Sequence, residues 1–250
     1  MMRELNADPN SVTELKKIWS YEKREDGTLR ITRYKGMRTE IDVPEKIGNR
    51  IVTEIADKAF SPMALRLKRG QAALRKSITQ ITLPETIQVI GESAFEGCLA
   101  ITAINIPDSV TAIGARAFLN CSSIDTIKLP EGLTEIGTYT FAYCQCLRNV
   151  TIPKTVEVIH RRAFQECSAL EAVVILEGVI EIEQLAFLGC TSLKTAVLPQ
   201  SVKKIKNNTR KGQDPQTIFH EDVDVTVTVA PKSYAEKYCK RNNIQYICEG

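Results

Sequence analysis

The residues with the widest range of chemistry in this sequence are its eight cysteines. Thiolates act as nucleophiles, metal ligands and disulfide partners, and their spacing helps to decide between these roles. No pair has the Cys-x-x-Cys spacing of a zinc site. Five recur at intervals of 23 residues, at Cys98, Cys121, Cys144, Cys167 and Cys190. This interval predicts an internal file of packed thiols, with disulfides or a metal site as the alternative. The pairing of the remaining three is left open: Cys146, Cys239 and Cys248.

The two histidines form no recognisable catalytic pattern. His160 takes a turn position where the repeats usually have glycine, and we expect it to be exposed. His220 lies beside Glu221 and Asp222, which is typical of a solvated surface. The sequence lacks Gly-x-Ser-x-Gly, His-Glu-x-x-His and the glycine-rich loops that hold phosphates. We therefore predict no enzyme activity, no cofactor and no metal ion.

The cysteines are positioned by a repeat of 23 residues that runs from Ile81 to Ile205. Aliphatic residues follow each phenylalanine of the repeat at 6, 11, 15 and 18 positions. A fixed period of this length indicates stacked units, none of which can bury its apolar face alone. The phenylalanines that define the repeat are Phe95, Phe118, Phe141, Phe164 and Phe187.

One repeat can be interpreted physically. Ile127 and Leu129 have the two-residue spacing of a β-strand, and Pro130 then ends the strand because it has no N–H to donate. Leu133 and Ile136 take the chain along a second side. The segment 137–144 returns it through a short helical turn with the phenylalanine and the thiol pointing inward. Successive coils should then lie about 4.8 Å apart, as neighbouring strands do.

The pattern L-x-x-I-x-I-P-x-x-V-x-x-I-G-x-x-A-F-x-x-C resembles the BspA-type leucine-rich repeat family, over roughly residues 21–247. The resemblance implies a curved, β-rich leucine-rich repeat solenoid from a bacterium, commonly surface-exposed or secreted, that binds other proteins or cells. It supplies no ligand. The departures from the pattern are Leu176 for proline, His160, Glu183 and Lys206 for glycine, and Arg210 for phenylalanine, where the regular array should end.

The two ends resemble the caps of that family, so we predict one domain over 1–250. In the cap 1–42, a capping box at Ser11 predicts a helix from Val12, and a hairpin turning at 26–27 follows. Trp19 should pack against the open end of the stack. In the cap 206–250, alternating valines over 223–229 predict a strand, Pro231 a helix start and 244–248 a last strand.

The repeats, 43–205, contain an insertion of about twelve residues within 61–77, because Phe60 and Phe95 are 35 positions apart. The insertion has five basic residues and no acid, and we interpret it as a helical excursion on the convex side with a solvated basic face. The alternative is a polyanion or nucleic-acid site, which the lack of interleaved aromatics disfavours. Its basic residues are Arg66, Lys68, Arg69, Arg75 and Lys76, and a second cluster has Lys203, Lys204, Lys206, Arg210 and Lys211.

Composition adds little about location or partners. The net charge of +3 does not by itself indicate nucleic acid, and no apolar run reaches the ~18 residues of a membrane span. The first ten residues lack the apolar core of a secretory signal, which on the sequence alone predicts a cytoplasmic protein. The family resemblance implies a secreted or surface protein instead.

Strand positions that point away from the core should line one sheet, whose outer row starts polar and ends apolar. We predict that this sheet face binds a protein or another macromolecule, and that its apolar end contacts a partner or a second copy. Isolated exposed valines that merely suit a strand are the alternative. The candidate residues are Asn105, Lys128, Thr151, Ala172, Val174 and Val197.

Overall fold

The computed structural model of the chain describes residues 11–207, 216–219 and 223–249. Five residues of the sequence analysis therefore lie outside the described part: Arg210, Lys211, His220, Glu221 and Asp222.

The N-terminal cap forms as predicted. Helix α1, Val12–Ile18, begins after Ser11, whose hydroxyl accepts a hydrogen bond from the Glu14 N–H at 3.3 Å. Strands β1, Trp19–Lys23, and β2, Leu29–Tyr34, then form an antiparallel hairpin. Gly27 makes the turn possible because its φ of 85° is costly for other residues.

The remaining strands are short, since each coil of the solenoid uses only a few residues on each side. They are β3 Glu40–Asp42, β4 Lys46–Ile47, β5 Arg50–Ile55, β6 Gln80–Thr82, β7 Val89–Ile90, β8 Ala103–Asn105, β9 Ala112–Ile113, β10 Glu135–Ile136, β11 Asn149–Ile152, β12 Val158–Ile159, β13 Ala172–Ile175, β14 Glu181–Ile182, β15 Thr195–Leu198, β16 Lys204–Ile205, β17 Thr226–Val229 and β18 Tyr246–Cys248. The other helices are α2 Gln71–Lys76 and α3 Tyr234–Arg241.

The strands stack on two sides of the solenoid. On the first side lie a three-stranded sheet, β3-β6-β8, and a five-stranded sheet, β11-β13-β15-β17-β18, both parallel. On the second side the hairpin continues through the six-residue β5 to the two-residue strands β7 and β9. A separate sheet there contains the two-residue strands β10-β12-β14-β16. Strands from consecutive repeats pair in register, as Asn149 pairs with Ala172 and Ala172 with Thr195. This is the predicted stack of coils.

In the described regular coils, 78–207, the third side consists of turns without a helix, which corrects the predicted helical turns. Each regular coil places two residues in the left-handed region, such as Tyr139 at φ 58° and Tyr143 at φ 62° around Phe141. A right-handed helix cannot continue through such residues, so the segment stays a series of turns. The cost of these conformations is offset by hydrogen bonds between coils, for example from the Phe141 N–H to the Ala163 carbonyl at 2.8 Å.

A continuous stack of aromatic rings runs inside the turn side. Neighbouring phenylalanine rings from Phe60 to Phe187 lie 5.1–5.5 Å apart and are nearly parallel. Trp19 and Tyr34 of the N-terminal cap cover one end against Phe60, as predicted for the tryptophan. The ring stack continues beyond the predicted end of the regular array, because Phe219, which is off the 23-residue interval, packs 6.0 Å from Phe187.

The thiol file lies beside the rings. Each of its thiols contacts the carbonyl of the phenylalanine one coil earlier, as in Cys121 Sγ to the Phe95 carbonyl at 3.2 Å. Burial raises the pKa of Cys144 to about 12, so this thiol stays protonated and unreactive. All eight cysteines are free, and only Cys146 and Cys248 are exposed. The packed-thiol interpretation is therefore confirmed.

The basic insertion differs from the prediction. Its only helix, α2, has six residues, and Arg75 within it is fully buried. The guanidinium of Arg75 donates to the carbonyls of Ser61 and Tyr34, both at 2.7 Å, and so ties the insertion to the N-terminal cap. The side chains of Arg66, Lys68, Arg69 and Lys76 remain exposed. The predicted basic face thus loses one of its five charges to the core.

The C-terminal cap has the predicted order of strand, helix and strand with shifted bounds. Strand β17 covers only the last part of 223–229. Helix α3 begins at Tyr234 instead of near Pro231, because the Ser233 hydroxyl caps it by accepting from the Glu236 N–H at 3.1 Å.

Candidate interaction face

The outer face of the five-stranded sheet follows from simple alternation. Val150, Val173, Ala196 and Val227 point into the core and are at most 3% exposed. Their neighbours along each strand point outward, as strand geometry requires. This alternation creates two outward rows, one that begins at Asn149 and one that begins at Thr151.

The row that begins at Thr151 contains the candidate valines. In register across the sheet it runs Thr151, Val174, Val197, Thr228 and Ile247. The two valines are half-buried, and Ile247 is 48% exposed. We call the segment from Val174 to Ile247 the apolar row; Ala172 flanks it on the same face. All four residues of the row are uncharged and β-branched, and they offer a partner a surface without charge.

Thr228 and Ile247 were missed by the sequence reasoning. The alternation of valines over 223–229 does indicate that Thr228 points outward, which was the available signal. Its register with Val197 could not be read, because the chain between them has no constant repeat length.

The prediction of one continuous sheet for all candidates is wrong. Asn105 ends β8 in the three-stranded sheet, whereas Thr151, Ala172, Val174 and Val197 lie in the five-stranded sheet. Lys128 lies between them in 126–129, which forms no strand, although Thr126 makes an isolated bridge. The structure therefore places four of the six candidates in one sheet and the other two outside that sheet.

A cavity of about 620 Å³ occupies the interruption. We call it the trough; it is bounded by β8, segment 126–129 and β11. Its lining residues are Ile104, Asn105, Thr126, Ile127, Lys128, Leu129, Glu131, Asn149, Val150, Thr151 and Pro153.

The second basic cluster is largely neutralised in the part of it that the structure describes. Lys204 pairs with Glu181 at 3.2 Å, and Lys206 pairs with Glu183 at 2.8 Å and also with Glu181. Lysines that are paired in this way release fewer counterions on binding a polyanion. The arrangement therefore weakens the polyanion alternative.

His160 lies in the same charged network and is only half-exposed, which corrects its expected exposure. Its Nε2 lies 3.1 Å from a Glu135 oxygen and its Nδ1 3.3 Å from a Glu183 oxygen. Burial by itself lowers the pKa of His160, but hydrogen bonds and charge from the two carboxylates outweigh burial and raise it. The doubly protonated ring can donate to both carboxylates and so connects three coils.

Replacing His160 with glutamine is expected to change how stability depends on pH. Because the pKa of His160 is raised on folding, its stabilising contribution is full below the unfolded value of ~6.5 and is lost as pH rises through the folded value. The free energy of unfolding of the wild type minus that of H160Q should be larger at pH 5.5 than at pH 8.5. Between these two pH values, the wild-type advantage over H160Q should change by only on the order of 0.5 kcal/mol, because the site is partly solvated. Urea titrations at both pH values measure it, and an equal difference at both would contradict the network.

No metal-binding cluster of three or more His, Cys, Asp or Glu side chains occurs within residues 11–207, 216–219 and 223–249. Across the same ranges, no helix has the length and apolar character needed to cross a membrane.

Comparisons with known proteins identify the fold. A leucine rich repeat protein of T. pallidum, TpLRR, superposes with a TM-score of 0.66 at 24% identity over 92% of this chain and 96% of that chain. A leucine rich cell surface protein of Faecalibacterium prausnitzii is also similar, with a TM-score of 0.46 at 22% identity over 76% of this chain and 71% of that one. The pneumococcal vaccine antigen PcpA has a TM-score of 0.45 at 16% identity over 92% of this chain and 48% of that one.

No curated protein matches the sequence. The likeness to TpLRR concerns the fold alone at this level of identity. The family model for the BspA type leucine rich repeat region, in contrast, matches six copies over residues 71–190 and 100–214. These stretches cover more than half of the chain, and the protein therefore belongs to the BspA type leucine rich repeat family.

Proposed function

We propose that this protein is a non-enzymatic interaction module that binds a protein partner through the apolar row. The observation that carries the proposal is the register of Val174, Val197 and Ile247 on one outward face. Uncharged, β-branched side chains in a contiguous row favour a protein contact, because burying them releases water without leaving a charge unpaired. The family supports a protein-interaction role without naming the ligand.

Charged side chains flank the row and would define its rim. Glu171 pairs with Lys194 at 2.8 Å and lies 3.7 Å from Arg148, all near the start of the strands. An apolar centre with a polar rim is the usual arrangement of a protein interface. Exposure at the cell surface remains a prediction from the family resemblance.

Polyanion binding through the insertion is the second candidate, and it has less support. Burial of Arg75 leaves four exposed basic residues there. In the other cluster Lys204 and Lys206 have acidic partners, whereas Lys203 donates to the Gln200 carbonyl. Four charges without aromatic partners form a weak footprint for nucleic acid.

The test places charges in the apolar row. Wild-type protein is used to capture partners, and binding to each purified partner is then measured for the double variant Val174→Lys, Val197→Glu. We expect at least a tenfold weaker affinity, because each charge would lose its water in the interface. Sedimentation velocity on the same variant tests whether a second copy is the partner.

A matched control places the same charges on the second side, at exposed Gln88 and Ile180, as Q88K and I180E. The control should bind as the wild type does. If the apolar-row variant keeps full affinity for every partner and an unchanged sedimentation coefficient while remaining folded, the proposal is wrong.

A further inference from the structure

Both sides of the solenoid are interrupted at one junction, between coil 101–123 and coil 124–146. On the first side β8 and β11 are the edges of separate sheets, and 126–129 between them forms no strand. On the second side β9 and β10 also belong to separate sheets. Coils on either flank of the junction do pair, as β7 with β9 and β10 with β12.

The turn side stays closed at this same junction. The rings of Phe118 and Phe141 stack 5.4 Å apart with planes only 6° from parallel. The Phe118 N–H donates to the Thr140 carbonyl at 2.9 Å, and the Asn120 N–H to the Ala142 carbonyl at 2.8 Å. The two coils are therefore joined along the rings, while no strand pair joins them on either sheet side. One backbone bond, from the Asp125 N–H to the Thr102 carbonyl at 3.2 Å, crosses the junction at the start of the first side. We call this arrangement the wedge.

The trough is the open part of this wedge on the first side. Ile127 is half-exposed there, whereas its repeat equivalents Ile104 and Val150 are 5% and 3% exposed. Among the described residues, the edges of β8 and β11 that face the trough pair with no strand, and Thr126 makes only an isolated bridge there. Edge strands present N–H and C=O groups that pair readily with another extended chain.

The side chains that line the trough suit a peptide whose central residues are uncharged. Its uncharged hydrogen-bonding side chains include Asn105, Thr126 and Asn149. The charged ones are opposite in sign, Lys128 and Glu131, and Lys128 is held by Asp108 across the junction at 3.0 Å. These charged side chains in the lining cancel, so the trough offers no net charge that would complement a polyanion or a strongly charged peptide.

We propose that the trough binds an extended, uncharged peptide segment of a partner protein, which lies over 126–129 and pairs with β8 and β11 as an added strand. Main-chain hydrogen bonds would supply the affinity, as in other cases where a peptide extends a sheet. The trough is separate from the apolar row, and this proposal would stand if that row bound nothing.

Hydrogen exchange on the free protein tests the open edges directly. Backbone amides of 127–129 should exchange at least 100-fold faster than those of 150–152 and 173–175, which lie in paired strands. Equal protection would show that 126–129 is already part of a closed sheet and would overturn the proposal.

Peptide binding is tested with a displayed library of nine-residue peptides selected on the full-length protein. Binding of the enriched peptides should fall at least tenfold for Asn149→Trp, which fills the trough, and stay unchanged for Thr195→Trp. Thr195 occupies the same repeat position two coils away, so it is a matched control. N-methylation of alternate peptide nitrogens should also weaken binding at least tenfold, because it removes the main-chain donors.

Other outcomes count against the trough. Failure to enrich any peptide, or peptides that bind N149W as tightly as the wild type, would overturn the proposal. Peptides lost only in V174K/V197E would assign the binding to the apolar row and exclude the trough. If the proposal for the trough fails in either of these ways, the function proposed for the apolar row is unaffected.

Discussion

Replacing Phe141 with alanine should lower the free energy of unfolding by about 3–5 kcal/mol, the range for removing a buried phenylalanine. Phe141 is 1% exposed and lies between two rings, 5.4 Å from Phe118 and 5.3 Å from Phe164. Its loss removes both ring contacts and leaves a cavity that the neighbouring coils cannot fill, because their own rings are fixed by the same stack.

The position of Phe141 should make this loss unusually damaging. A solenoid is held together by contacts between adjacent coils, so a weakened contact in the middle uncouples the two halves. At the junction before coil 124–146 both sheets are already interrupted, and the ring stack with its hydrogen bonds is the main remaining connection. We therefore expect a broader urea transition as well as a lower midpoint, because the halves would unfold separately.

Circular dichroism in urea measures the effect, and Tyr143→Ala is the control. Tyr143 lies in the same turn, is 38% exposed and has a left-handed φ of 62°. The control should lose less than about 1 kcal/mol, as surface substitutions usually do. A loss for F141A as small as that of the control would mean that the ring stack does not hold the coils together.

The solenoid itself could be predicted because its determinants recur at a fixed interval. Phenylalanine, thiol and aliphatic positions stay in phase, so their burial in one repeat implies burial in all. Phe219 could not be placed in this way, because the stretch before it departs from the interval and the ring joins the stack only in three dimensions.

The interruption at 126–129 could not be predicted from the pattern. Ile127, Leu129 and Pro130 follow the repeat as well as any other coil does, so the sequence predicts a strand there. Whether a short parallel strand pairs depends on the position of its whole coil relative to both neighbours. That position is a tertiary property, which local residue types do not specify. The candidate face was therefore predicted in its composition and not in its continuity.

Arg75 shows a different limit. Within 61–77 its charge groups it with four other basic residues, and a basic run usually faces water. What distinguishes Arg75 is that two carbonyls, of Ser61 and Tyr34, lie within reach of its guanidinium. Only the docked positions of insertion and cap reveal this, and the sequence around Arg75 carries no signal for it.

Replacing Arg75 with alanine should lower the free energy of unfolding by about 2–4 kcal/mol. The change removes two charge-assisted hydrogen bonds, each contributing about 1.5–3 kcal/mol, and leaves two carbonyls buried without that partner. In the wild type, the stabilisation by these hydrogen bonds is partly offset because the native state must hold a desolvated cation. Burial lowers the pKa of Arg75 to about 10. Its Nε also lacks a hydrogen-bond partner, which reduces the net contribution further.

Arg75→Met separates these effects, since methionine keeps much of the volume and removes the charge and the donors. Buried ionic groups can be replaced by apolar residues without loss when their desolvation outweighs their contacts. For Arg75 the hydrogen bonds should stabilise more than desolvation costs. The two 2.7 Å bonds go to carbonyls of the insertion and of the cap and fix how these two segments dock. R75M should therefore lose less than R75A but remain at least about 1 kcal/mol below the wild type. Lys76→Ala, at the exposed neighbour, should change the stability by less than about 0.5 kcal/mol. If R75M proved as stable as the wild type in urea, the cation would be merely tolerated, and packing of the insertion would not depend on it.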